Sequence, residues 1–276
     1  MSNVENANVK EYLAQYKKKD IIFVPNPGNL GDDIIAHSTI DIFKELDISY
    51  TLSHSNEIHE NKILIYGGGG NYIPRYNHCR NFLLNNHENN EIIVLPQTVR
   101  NSKDSLSKLS SNVTIFCREL RSYRHVRKII SKTLLAPDMS FLLKIDDEYK
   151  DRKNLGFHME CFRTDKESTI VPKPWINSDI PLVLKLRWET PETHYEGYKE
   201  SFVNSQIPEY NIMRGSYSLI NHVSLFDTIS TNRLHVAILG ALLNKKVRLY
   251  ANNYWKNLEV YKYSIKKQYK NVKFIK

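Results

Sequence analysis

Asn232, Arg233, Leu234 and His235 stand where an apolar strand gives way to an apolar helix, in the run Asp-Thr-Ile-Ser-Thr-Asn-Arg-Leu-His-Val-Ala-Ile-Leu-Gly-Ala-Leu-Leu over residues 227–243. The residues up to Ile229 read as a short buried strand, and 236–243 as a helix packed on both sides. At such a junction, unpaired backbone N–H groups and the positive end of the helix dipole point at whatever lies beyond the strand. A guanidinium there adds a planar fork that suits carboxylate or phosphate. An imidazole two residues on adds a group that can move a proton near neutral pH. The plain alternative is a helix capped by Thr231 or Asn232, with Arg233 and His235 in solvent.

Other residues could complete a site of this kind. Gly28-Asn29-Leu30-Gly31-Asp32-Asp33 follows the first candidate strand. Glycines there allow a sharp turn and a close ligand, Asp32 or Asp33 can cap the next helix, and Asn29 and Asp32 can hold a sugar hydroxyl. The spacing is not Gly-x-Gly-x-x-Gly, which disfavours the common dinucleotide site. Gly67-Gly68-Gly69-Gly70 can form a nest of N–H groups for an anion, with Gly68 and Gly69 at its centre. No Lys-Ser or Lys-Thr follows, so it is not a P-loop. Asn71 and Tyr72 come next and can touch a sugar ring, and Gln97 just beyond a strand end can read a hydroxyl. Arg118 ends the run Val-Thr-Ile-Phe-Cys, so its charge must find water, a partner or a ligand. Glu119 is the nearest such partner, or else a helix-start residue. Arg163, Asp165 and Glu167 read as a cap with surface charge, and Asp138 as an N-cap or hinge-side residue.

These motifs, with Arg118-Glu119, Ser122-Tyr123, Ala136-Pro137-Asp138 and Thr231-Asn232-Arg233-Leu234-His235, occur in an order that resembles the polysaccharide pyruvyl transferase family. The resemblance runs from about residue 22 to about residue 262, and the Arg-Leu-His element is its most specific member. It implies an enzyme that moves the enolpyruvyl unit of phosphoenolpyruvate onto sugar hydroxyls, forming a pyruvate ketal on a surface polysaccharide or its precursor. It also implies a two-domain, glycosyltransferase-B-like architecture, places Arg118 as a donor-binding residue, and makes the element of Arg163, Asp165 and Glu167 a structural turn near the cleft. Catalysis is then expected from His235, Arg233 and Arg118, and donor binding from Arg118, Arg233, Leu234, Gly68 and Gly69. Acceptor binding is expected from Asn29, Asp32, Asn71 and Gln97, with no metal and no cofactor besides the donor. Asn232 departs from the pattern, since the family often has Asp before the Arg. Two rival readings stand beside this one: a glycosyltransferase of the same architecture using a nucleotide sugar, and a basic binding module without catalysis.

The elements that must position these residues are short apolar runs alternating with amphipathic ones. Strands are expected at 20–25, 48–53, 62–66, 91–95, 112–117 and 133–136, and helices at 32–46, 75–86, 102–109 and 119–130. This alternation predicts a parallel sheet with helices on both faces, with the motifs on the edge formed by the strand C-terminal ends. Residues 144–153 are almost all charged and read as a linker. Beyond it, strands are expected at 154–162, 211–214, 225–229 and 246–250, and residues 172–191 resist assignment. The fold class is therefore α/β, with two Rossmann-like domains facing a cleft: 1–148 on the acceptor side and 149–276 on the donor side.

The charge of +9 over 276 residues points to acidic partners. No lysine-rich recognition helix or named motif supports nucleic acid. Cys79, Cys117 and Cys161 show no metal spacing, and Cys117 and Cys161, in apolar runs, read as buried thiols, in keeping with a cytoplasmic location. The first residues have no signal-peptide pattern, and no apolar run reaches the ~18 residues of a membrane span. The lysine- and tyrosine-rich run from Tyr261 onward reads first as a helix with its tyrosines packed inward, and second as a peripheral contact with an anionic membrane. The acceptor saccharide is expected to be lipid-linked, nucleotide-linked or free.

Overall fold

The computed structural model of the chain describes residues 6–152, 156–165, 167–169, 177–179, 181 and 209–276. Its first part is a parallel sheet whose central strands are buried on both faces, as strands covered by helices on either side must be. β6 (Val113–Cys117) shows the pattern in full: every residue of Val-Thr-Ile-Phe-Cys is buried. β1 (Asp20–Val24), β2 (Ser49–Leu52), β3 (Ile63–Tyr66), β4 (Gly69–Tyr72), β5 (Glu91–Val99), β6 and β7 (Thr133–Leu135) form this seven-stranded sheet. The order is β2-β1-β3-β5-β6-β7, with β4 paired to β5. The direction of winding reverses between β1 and β3. In an open α/β sheet, the crevice at such a switch point, beyond the strand C-terminal ends, is where ligands bind.

Between the strands run α1 (Val9–Leu13), α2 (Leu30–Leu46), α3 (His78–Asn86), α4 (Lys103–Leu106) and α5 (Leu120–Val126). α2 starts with a capping box: the Asn29 side chain accepts from Gly31 N, and Asp32 Oδ2 accepts from Asn29 N at 3.0 Å. Past β7, a 3-10 turn (Met139–Leu142) and α6 (Asp147–Lys150) lead to the second sheet. That sheet is parallel too, in the order β11-β10-β9-β8, from β8 (His158–Cys161), β9 (Thr228–Thr231), β10 (Lys246–Tyr250) and β11 (Val272–Ile275). α7 (Glu209–Ser224), α8 (Leu234–Leu242) and α9 (Lys256–Val260) accompany it.

One apolar cluster ties the two sheets together. Leu30 and Ile34 of α2 pack with Leu219, Ile220 and Val223 of α7 and with Ile229 and Val247 of the second sheet. α7 lies so close to α2 that a Cβ on Gly215 would stand 2.3 Å from Asp33 Oδ2. His37 Nδ1 and Ser216 Oγ are 2.7 Å apart in the same contact.

Four expectations need correction. Residues 211–214 are not a strand but part of α7, whose apolar residues repeat at helical rather than alternating spacing. The glycine run is not a loop of N–H groups: Gly69 and Gly70 belong to β4, hydrogen-bonded to β5. β5 does not stop at 95 but continues through Pro96 to Val99, its register with β6 shifting between Val94 and Gln97, where proline's missing N–H is tolerated. The end of the chain is not all helix, because Val272–Ile275 forms β11. Tyr261 and Tyr269 do pack inward, while Lys262, Lys266, Lys267 and Lys270 are exposed. The expected linker at 144–153 contains the single-turn α6. Most of 172–191, and the start of the strand expected at 154–162, lie outside the described residues. Among the described residues, no helix is long and apolar enough to cross a membrane.

Candidate active site

Strand ends from both sheets open onto one cleft of ≈ 390 Å³. The first sheet contributes Gly28, Asn29, Gly31, Asp32, Gly70, Asn71 and Arg118; the second contributes Arg163, Asp165, Glu167, Arg233, Leu234, His235 and Lys256. Arg118 and Arg233, far apart in sequence, thus share one cavity with His235.

Arg118 sits just past β6 and is only 1% exposed. Its Nε donates to Thr98 Oγ1 at 2.8 Å and its Nη1 to Asp138 Oδ2 at 2.7 Å. Glu119, expected either as that partner or as a helix-start residue, is the latter: it caps α5 and accepts from Ser122 N. Burial works against the Arg118 charge, but the charge and hydrogen bond of Asp138 outweigh it, and the Arg118 pKa is raised. Removing one partner of such a buried pair costs about 3–5 kcal/mol, because the other charge is left uncompensated.

Asp138 does more than cap. Its Oδ1 accepts from Ser140 N at 2.9 Å and Ser140 Oγ at 2.6 Å, starting the 3-10 turn. Its Oδ2, held by Arg118, stands 3.6 Å from His235 Nε2. That distance permits charge attraction but is too long for a hydrogen bond, so the buried His235 Nε2 has no hydrogen-bond partner. Burial alone would raise the Asp138 pKa. His235, Arg118 and Ser140 overcome it and hold the carboxyl well below the usual range.

On the second sheet the charges form an alternating network. Arg233 Nε and Nη2 grip Asp179 as a fork at 2.7 and 2.6 Å, and Nη1 lies 3.1 Å from Asp165 Oδ2. Arg163 makes the same fork with Asp165, at 2.9 and 2.8 Å, and reaches Glu167 at 2.7 Å. Glu167 also accepts from Lys256 Nζ at 2.6 Å and Tyr254 OH at 3.1 Å. Against the effect of burial, Lys256 and Arg163 lower the Glu167 pKa; Arg163 and Arg233 do the same for Asp165. Burial brings Lys256 down to about 8, against the pull of Glu167. Arg163, Asp165 and Glu167, expected either as a cap with surface charge or, by the resemblance, as a turn near the cleft, line the cleft.

The remaining expected residues divide. Asn29, Asp32, Asn71 and Leu234 line the cleft. Asp32 is occupied on both oxygens, by Asn29 N and by Asn26 Nδ2 at 2.7 Å, and Asn71 Nδ2 donates to Pro27 O. Gly68, Gly69 and Gln97 are not among the lining residues. Gly68 lets β4 approach β5, since a Cβ there would meet Pro96 O at 2.6 Å, and Gly69 has φ +122° beside Asn26 and Asp32. Gln97 is wholly buried, with neither amide atom hydrogen-bonded. Asn232 is buried too: its Oδ1 accepts from Arg163 N at 2.7 Å, a bond that a carboxylate could also accept. Sequence reasoning missed Lys256, Asp179 and the link from Asp138 to His235; none lies in a run whose spacing marks it. Among the described residues, no group of His, Cys, Asp and Glu is gathered to hold a metal ion.

Two parallel sheets whose strand ends meet at a polar cleft, with arginines fixed by carboxylates and a histidine unpartnered at one buried nitrogen, define an α/β protein with an enzyme-type site. Residues 29–254 match the polysaccharide pyruvyl transferase family, and the chain belongs to that family of transferases. A relative named "Putative pyruvyl transferase EpsO", from Bacillus subtilis (strain 168), is 24% identical over 283 residues, covering 87% of this chain and 84% of its own. A crystal structure of KP1_0663, titled a functional uncharacterized protein, from Klebsiella pneumoniae subsp. pneumoniae NTUH-K2044, matches at 29% identity with a TM-score of 0.76, covering 97% of each chain.

Proposed function

We propose that the chain transfers the pyruvyl unit of phosphoenolpyruvate to two hydroxyls of a saccharide, releasing phosphate and leaving a pyruvate ketal. The observation that carries this reading is the convergence of Arg118, Arg233 and His235 on one cleft, with His235 Nε2 unpartnered beside Asp138. Phosphoenolpyruvate carries carboxylate and phosphate on a very small frame, and guanidinium groups fixed from two sides fit that pattern. Arg118 uses Nε and Nη1 within the protein, and Nη2, beside Gly70, is placed for a donor oxygen. Arg163 and Lys256 stand on the other wall, both paired with Glu167.

In the reaction, two sugar C–O bonds form at the donor's C2, and its C–O bond to phosphate breaks. One hydroxyl proton ends on the methylene carbon, making it a methyl group, and the other leaves with phosphate. His235 takes a hydroxyl proton and returns it to carbon, and Asp138 stabilises the imidazolium between the two transfers. Asn29 and Asn71 hold the acceptor through the amide atoms that their structural bonds leave over. Asp32 shapes the turn rather than touching sugar. The acceptor is a unit of a surface polysaccharide or its precursor, modified on the cytoplasmic side of the membrane.

A glycosyltransferase would instead bind a nucleotide. Thermal-shift titration separates the two readings. Phosphoenolpyruvate should raise the melting temperature of the wild-type protein and fail to do so in Arg118→Ala. Stabilisation by nucleotide sugars, with none by phosphoenolpyruvate, would overturn the assignment of the donor.

A further inference from the structure

We infer that Gly31 is the seat of the His235 imidazole: a backbone position beside the first sheet sets where a side chain of the second sheet stands. The inference builds on the reading of His235 as the proton-moving group. An ideal Cβ on Gly31 would lie 2.2 Å from His235 Nδ1 and 2.9 Å from its Cγ. Any side chain at 31 therefore meets the ring itself, not the flexible end of a long chain.

Neither partner can retreat easily. Gly31 lies in the first turn of α2, where its N–H donates to Asn29 Oδ1 at 2.9 Å. Asp32 fixes the same turn through Asn29 N and Asn26 Nδ2, and Asn26 Oδ1 accepts from the buried Tyr66 OH at 3.0 Å. His235 is held from its own side, on α8 between the buried Leu234 and Val236. The imidazole is thus bounded by Gly31 along its Nδ1 edge and by Asp138, 3.6 Å from Nε2, at the other. A methyl group at 31 would push the ring off this line. Misplacement of a reacting group by about 1 Å can cost roughly 10²-fold in rate.

A double-mutant cycle on melting temperature tests the seat without reference to activity. Gly31→Ala should destabilise the wild-type protein. It should have little effect in the His235→Ala background, where the ring it strikes is gone. An equal loss of melting temperature in both backgrounds would overturn the inference. Turnover supplies the second readout. Gly31→Ala should lower kcat by about 10–10²-fold with a smaller change in KM for phosphoenolpyruvate. A folded Gly31→Ala enzyme with unchanged kcat would show that this position does not set the histidine's working geometry. Loss of phosphoenolpyruvate stabilisation from the wild-type protein would instead count against the donor assignment and leave the stability cycle intact.

Discussion

His235 and Arg118 meet at a single oxygen, Asp138 Oδ2, which accepts from the guanidinium and faces the imidazole. This arrangement gives the histidine a nearby negative charge and leaves its buried Nε2 without a hydrogen-bond partner. If His235 moves the proton, His235→Ala should lower kcat by roughly 10²–10⁴-fold, the usual worth of a general acid–base group. KM for phosphoenolpyruvate should change less if, as proposed, Arg118 holds the donor. His235→Gln should not restore the rate, since an amide hydrogen-bonds but does not titrate. A raised KM with near-normal kcat, partly rescued by Gln, would reassign His235 to binding. The positions of Arg118, Arg233 and His235 were legible because each is a polar residue at the end of an apolar run. Asp138 as their common partner was not legible. Its sequence neighbours explain only the cap, and its other contacts come from residues 20 and 97 positions away. The same holds for Asp179 and Lys256, whose partners are long-range. Arg233 shows the limit of reading chemistry from residue type: its fork was expected for a ligand, and the protein itself fills it with Asp179.

At the scale of elements, α5 carries a pH-sensitive cap. Burial pushes Glu119 from its ordinary 4.5 up to about 8, against the Ser122 hydrogen bond and the Arg118 charge. A group whose pKa is raised by folding adds stability that is complete below the unfolded value and is lost as pH rises through the folded one. The Glu119 contribution therefore fades between about 4.5 and about 8. Glu119→Gln keeps an acceptor for Ser122 N and cannot ionise, so its melting temperature should fall less than wild type between pH 6 and pH 9. Equal falls would show that Glu119 does not titrate in this window. Elements with one clear periodicity were legible: β1, β6 and β10 lie within a residue of the expected ranges. The glycine run was not, because a parallel partner, β5, draws into a strand what local preference makes a turn. The 211–214 segment was misread because four residues cannot distinguish an alternating pattern from one side of a longer helix.

For the molecule as a whole, both sheets were expected to be parallel, and their convergence on one cleft explains why residues so distant in sequence cooperate. The shared cluster from α2 through α7 to β9 and β10 fixes one sheet against the other and holds His235 against Gly31. The net charge of +9 sets a favourable field for anionic substrates, while within the cleft itself each arginine is matched by a carboxylate. Selectivity then rests on geometry rather than on bulk charge. The most direct measurement is incubation of the protein with phosphoenolpyruvate and a panel of hexosides, following inorganic phosphate and the acceptor mass together. Phosphate release and a mass gain of one pyruvyl unit should appear in equal amounts on at least one acceptor, and both should vanish in Arg118→Ala. Transfer of a glycosyl unit from a nucleotide sugar, with phosphoenolpyruvate left intact across the panel, would contradict it.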